Sequence, residues 1–174
     1  KYIVIHSACG AYEKSIEYLL RRPQAAHFMV SRKGDVARMV EIKNIALHVK
    51  NQSIRDASIG IETETGFPRP PWYTEADWDP ASAWRMYASL AWLIRAVAKE
   101  AGVPRDEAHI IGHLDADRGI RGAHVDPGRF FYDKVYPAFE ERFPGSGVTP
   151  RKYLMMLVND DVPPRVERST AAAG

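Results

Sequence analysis

Lys1-Tyr2-Ile3-Val4-Ile5-His6 opens the chain as a run of β-branched and aromatic residues closed by an imidazole. The run reads as a β-strand, because branched and aromatic side chains fit a pleated, half-buried surface. Two later segments read alike: Ala57 to Glu62 (ASIGIE) as a buried strand, and Ala108 to Gly112 as a short strand that delivers His113 at its end. Helical patterns alternate with these strands. Glu13 to Arg21 carries Ile16, Leu19 and Leu20 at helical spacing and stops before Pro23. Ala26 to Ser31 and Val36 to Ile42 flank Lys33-Gly34-Asp35, which predicts a β-hairpin with a glycine turn. Ala81 to Ala101 is a long helix with Met86, Leu90, Leu93, Ile94 and Val97 on one apolar face, ended by Gly102 and Pro104.

The remainder is less regular. Thr63 to Pro80 is rich in proline, aromatic and acidic residues and reads as a surface loop. Arg129 to Arg142 is a second, aromatic-rich amphipathic helix, residues 150 to 158 a short terminal helix, and Val162 to Gly174 a flexible tail. No internal repeat is visible. The alternation predicts one α/β domain, a central mixed β-sheet flanked by α-helices.

Composition bounds the function. The chain has 174 residues, the size of one domain, with 45% hydrophobic and 26% charged residues, as in an ordinary soluble globular protein. With 24 basic against 22 acidic residues, the net charge of +2 is too balanced to argue for a nucleic-acid partner. A single cysteine excludes an intramolecular disulfide framework. No apolar run approaches the ~18 residues of a membrane span. The chain starts at Lys1 rather than Met, so the lack of a visible signal peptide does not argue against export.

Chemistry concentrates on the histidines, of which there are six: His6, His27, His48, His109, His113 and His124. His6 ends one apolar strand and precedes Ser7-Ala8-Cys9-Gly10, small residues that let groups approach closely. His113 ends another, directly after Gly112. Two strand ends on one edge of a sheet can aim their imidazoles at a common point. In His124-Val125-Asp126-Pro127, His124 and Asp126 are two apart and face the same way in an extended segment. Two imidazoles and a carboxylate with a fourth position open are a common ligand set of hydrolytic zinc. Each residue also has an ordinary alternative. A strand-end histidine can be a hydrogen-bonded structural residue, and Asp126 before Pro127-Gly128 can cap the helix that follows.

Other chemistries fit less well. His109-Ile-Ile-Gly-His113 has the outer spacing of a metalloprotease helix but lacks its glutamate. There is no G-x-S-x-G elbow and no Walker or Rossmann glycine pattern. Cys9 reads better as a small buried residue than as a nucleophile.

Taken in order, Ile3-Val-Ile-His6, Ala26-His27-Phe28-Met29-Val30, Gly34, Ser58-Ile-Gly-Ile-Glu62, His109-Ile-Ile-Gly-His113 and Asp126-Pro-Gly128 resemble the zinc-dependent N-acetylmuramoyl-L-alanine amidases of the type-2 amidase family. T7-type phage lysozymes and peptidoglycan recognition proteins share that fold. The resemblance implies a catalytic domain over residues 1–145 and a C-terminal extension over 146–174. It implies one Zn2+ per chain on His6, His113 and Asp126, with Glu62 as acid/base residue. His124, where several members have lysine, would stabilise the transition state; a role as a further ligand stays open.

The resemblance also implies a substrate groove, with His27, His48 and Asn51 as its candidates and Trp72 and Tyr73 available to stack on a sugar. Two positions depart from the family pattern: Ser7 stands where many members have His or Tyr, and Leu47 where many have Trp before the histidine. The expected substrate is peptidoglycan or a muropeptide, cut by a monomer acting on the cell wall. That enzyme would be secreted, periplasmic, or phage-encoded and released at lysis. A non-catalytic wall-binding module of the same fold is the rival expectation, and another zinc amidohydrolase a third.

Overall fold

The computed structural model describes residues 1–8, 10–22, 25–64, 80–121 and 150–159. Within them a five-stranded mixed sheet runs in the order β3-β2-β4-β1-β5. The strands are β1 (Tyr2–Ala8), β2 (Phe28–Val30), β3 (Val36–Arg38), β4 (Ser58–Glu64) and β5 (Ile110–Gly112). The helices are α1 (Tyr12–Leu20), α2 (Gln52–Arg55), α3 (Pro80–Ala101), α4 (His113–Ala116) and α5 (Pro150–Val158). β1 pairs in parallel with β4 and β5, β2 pairs in parallel with β4, and β2 and β3 form the antiparallel hairpin. The turn of that hairpin places Gly34 at φ 96°, a left-handed conformation that glycine adopts without steric cost.

The two-residue period of a strand sorts side chains onto opposite faces. Ile3, Ile5, Phe28, Val30, Ile59 and Ile61 face the main core, where Met86, Tyr87, Leu90, Leu93, Ile94 and Val97 of α3 cover them. The apolar stripe of that helix is thus its buried face. Leu154, Met155 and Val158 of α5 join the same core, and Arg95 and Arg105 donate to the Leu157 and Val158 carbonyls at its end. The other face is thinner. Val4 packs there with Val49 and Ala116, and it leaves room for polar groups at the carboxyl ends of the parallel strands.

β4 extends two residues past Glu62. Thr63 Oγ1 donates to the His6 carbonyl, and the Glu64 carboxylate accepts the Tyr12 and Arg32 backbone N–H groups at 2.9 and 2.8 Å. A carboxylate at the start of α1, whose N-cap residue Ala11 makes no side-chain hydrogen bond, satisfies an orphan donor and complements the helix dipole. The helix predicted over Arg129 to Arg142, the tail from Val162 and most of the 63–80 loop lie outside the described residues.

Candidate active site

Strand register assembles the site. Tyr2 pairs with Ser58, Val4 with Gly60 and His6 with Glu62, so Ser58, Gly60, Glu62 and His6 share the thinner face of the sheet. β5 lies on the other side of β1, with Ile5 opposite Gly112. The chain then turns directly into α4, with Gly112 as its N-cap and His113 as its first residue. His113 is therefore the start of a helical turn rather than a strand end. The chain's change of direction at Gly112 brings His113 to the carboxyl end of β1.

There the two imidazoles meet. Nδ1 of His6 lies 3.0 Å from Nδ1 of His113, both rings being buried. Behind His113, its Nε2 lies 3.1 Å from Oδ2 of Asp117, a carboxylate with no exposed surface. Asp117 also accepts the backbone N–H of Asn51 at 2.8 Å and that of Lys50 at 3.0 Å. Burial alone would raise the Asp117 pKa, but the Asn51 and Lys50 amides and the His113 ring outweigh it and hold the carboxyl below its usual value. Behind His6, its Nε2 lies 2.9 Å from Nδ1 of His48, and His48 Nε2 lies 3.1 Å from Ser58 Oγ. Burial, and then the neighbouring rings of His6, His27 and His113, push the His48 pKa down to about 2. His48 is neutral.

His6, His113 and Glu62 open onto a cleft of about 800 Å³ whose walls include Lys14 and Tyr18 of α1 and Leu47 and Lys50. The expected groove residues part company here. His48 reaches the cleft, but its ring is nine-tenths buried and both of its nitrogens are engaged behind His6. His27 has no exposed surface: Nε2 donates to the Asn44 carbonyl and Nδ1 accepts the Gly60 N–H, so it supports the sheet and does not face a ligand. Burial lowers its pKa, with the Asn44 bond opposing. Asn51 is also spent on structure, capping α2 through the Ile54 N–H and donating to the Ala116 carbonyl. Trp72, Tyr73, His124 and Asp126 lie outside the described residues. Among the described residues, no three His, Cys, Asp or Glu side chains are grouped to hold a metal ion.

Asp117 was not among the residues singled out from sequence. Its spacing of four from His113 is the signal that identifies it, since residues i and i+4 meet on a helix. That signal is hidden when His113 is read as a strand end. Ser58 is a second such residue, visible only once β4 is laid beside β1.

Comparison with known proteins gives a consistent picture. No curated protein matches the chain at a significant level of sequence similarity. Solved structures do match in fold. AmiD of E. coli, in complex with anhydro-N-acetylmuramic acid-L-Ala-D-gamma-Glu-L-Lys, superposes with a TM-score of 0.56 at 20% identity, over 80% of this chain and 57% of its own. The chain thus spans little more than half the length of that protein. AmpDh3 of Pseudomonas aeruginosa gives 0.54 at 19% identity over 94% of this chain and 68% of its own. The PlyG catalytic domain gives 0.59 at 14% identity over 99% and 86%. The family model described as N-acetylmuramoyl-L-alanine amidase matches residues 1–129, well over half of the sequence. That match and the sheet that carries His6 and Glu62, with His113 just beyond its last strand, agree, and the chain belongs to the N-acetylmuramoyl-L-alanine amidase family.

Proposed function

We propose that the protein is a zinc-dependent hydrolase that cleaves the amide between N-acetylmuramic acid and L-alanine in peptidoglycan or its muropeptides, acting on the cell wall as a secreted, periplasmic or phage-released enzyme. The observation that carries the zinc reading is the facing pair of imidazole nitrogens, 3.0 Å apart. A carboxylate only accepts, so Asp117 keeps the His113 proton on Nε2 and leaves the Nδ1 lone pair directed at His6. Two nitrogens bound at ~2.0–2.1 Å to one tetrahedral zinc lie about 3.3 Å apart, close to the spacing found. The pair fits zinc, and Asp117 behind it is the carboxylate that commonly backs a metal-bound histidine.

His6 and His113 would hold the ion together with Asp126, the third ligand expected from the family resemblance. Zinc supplies Lewis acidity, lowering the pKa of water toward ~7 and polarising an amide carbonyl. Glu62, beside His6 in the register and on the cleft wall, would accept a proton from the attacking water and return it to the leaving amine of L-alanine. Protonated His124 would stabilise the oxyanion. The ~800 Å³ cleft is of a size to admit a muropeptide fragment.

The test is zinc content together with release of stem peptide from purified peptidoglycan, for the native chain, Glu62→Gln and Asp126→Ala. About one zinc per native chain, cleavage lost in both variants and zinc retained in Glu62→Gln is the expected result. Wall binding with neither zinc nor cleavage would make the protein a recognition module instead.

A further inference from the structure

We infer that His48 and Ser58 form a reversible hydrogen-bond relay that decides which nitrogen of His6 carries its proton, which makes His48 a positioning residue for metal capture. The inference rests on the reading of His6 and His113 as ligands. Donor and acceptor counting along the chain of contacts leads to it.

In the absence of a cation, the 3.0 Å contact between the two Nδ1 atoms needs one proton. Asp117 keeps the His113 proton on Nε2, so the proton between the rings belongs to His6 Nδ1. The bare Nε2 of His6 must then accept from His48 Nδ1–H at 2.9 Å, and the bare Nε2 of His48 must accept from the Ser58 hydroxyl at 3.1 Å. Every link is satisfied.

With a cation between His6 and His113, both Nδ1 atoms must be bare. The relay reverses: His6 Nε2–H donates to His48 Nδ1, His48 Nε2–H donates to Ser58 Oγ, and the hydroxyl turns to the Arg55 carbonyl, which lies 3.4 Å away. Again every link is satisfied. Each ring holds one proton before and after: the proton leaving His6 Nδ1 passes to solvent water in the cleft, and the Ser58 hydroxyl, having given its own proton to His48 Nε2, regains one from solvent water. The second acceptor at Arg55 is what allows reversal, and without it the Ser58 hydroxyl would lose its partner. His48 is suited to the task because it is held rigidly, its ring lying against the bare Cα of Gly60.

The decisive measurement is the 15N–1H imidazole spectrum of the native chain labelled at histidine, metal-free and after addition of zinc sulfate. The relay predicts Nδ1–H on both His6 and His48 without metal and Nε2–H on both with it. A His48 tautomer that is the same in both states, in protein that has taken up zinc, overturns the relay alone. Failure of the native chain to take up zinc overturns the ligand reading and the relay with it. Zinc affinity, read by competition with a chromophoric chelator, gives the second arm: His48→Leu should lose about 10–100-fold, and His48→Gln, which can both accept and donate, should recover most of it. Equal affinity of His48→Leu and native protein would overturn the inference.

Discussion

A Cβ atom added to Gly60 would lie 2.5 Å from Cγ of His48 and 2.7 Å from its Nδ1. The glycine of Ser58-Ile-Gly-Ile-Glu62 is therefore the seat of the His48 ring, and the ring cannot move aside because His6 and Ser58 hold its two nitrogens. Gly60→Ala should cost about 1–3 kcal/mol of stability, the usual penalty of overpacking a filled site. Urea denaturation of the metal-free protein measures it. An unchanged midpoint would mean that the ring has room to shift, and the seat would not exist.

Asp117 has no exposed surface and binds two backbone amides as well as His113. Asp117→Asn keeps the shape but removes the charge and one acceptor. Zinc affinity should fall about 10–100-fold, as for other groups that orient a metal-bound histidine. The metal-free protein should also lose about 1–3 kcal/mol from the weakened amide bonds. Calorimetric titration and thermal melting test both effects, and a variant that matches the native chain in both would remove Asp117 from the site.

The pH dependence of stability should show the buried imidazole of His27. Its folded pKa lies below the unfolded value of about 6.5, so between those two values the unfolded chain binds more protons. The contribution is therefore fully present above about pH 6.5 and is lost as pH falls through the folded value. Stability should therefore fall as pH drops below about 6.5. His27→Gln preserves an acceptor for Gly60 and a donor for Asn44. It should flatten the slope of the urea midpoint below that pH in metal-free protein; an equal slope would contradict the prediction.

Gly34 carries two constraints that can be separated. Its φ of 96° disfavours any side chain, and an added Cβ would meet Ser89 Oγ at 2.8 Å. Gly34→Ala should destabilise by about 1 kcal/mol or more. Repeating the change in a Ser89→Ala background removes the collision but not the backbone strain, so part of the loss should persist. Full recovery would show that the turn tolerates alanine.

Much of the scaffold is legible in local pattern. The branched runs at β1 and β4, the apolar stripe of α3 and the glycine turn of the β2–β3 hairpin all report burial through periods of two or about four residues. Short or irregular pieces escape. α4 has four residues, too few to show a helical period, so His113 reads as a strand end and Asp117 goes unnoticed. Leu47-His48 belongs to no regular element, and nothing near it in sequence announces that its imidazole will lie behind His6. His27 and Asn51 are polar residues of a kind that lines grooves, yet both are occupied by backbone partners.

By itself, the sequence determined which residues could do chemistry and that each follows an apolar strand segment: His6, Glu62 and, one step past a glycine, His113; β1 and β4 in fact run two residues further, to Ala8 and Glu64. The sequence could do so because burial and strand period are local properties, written into every second side chain. Only the tertiary structure decided which of these groups meet. The parallel register of β1 with β4 sets Ser58, Gly60 and Glu62 on the face of His6, and the turn after β5 brings His113 to within 3.0 Å of it. Contacts between residues 107 apart in the chain depend on strand order, register and helix direction together, and no local pattern encodes all three.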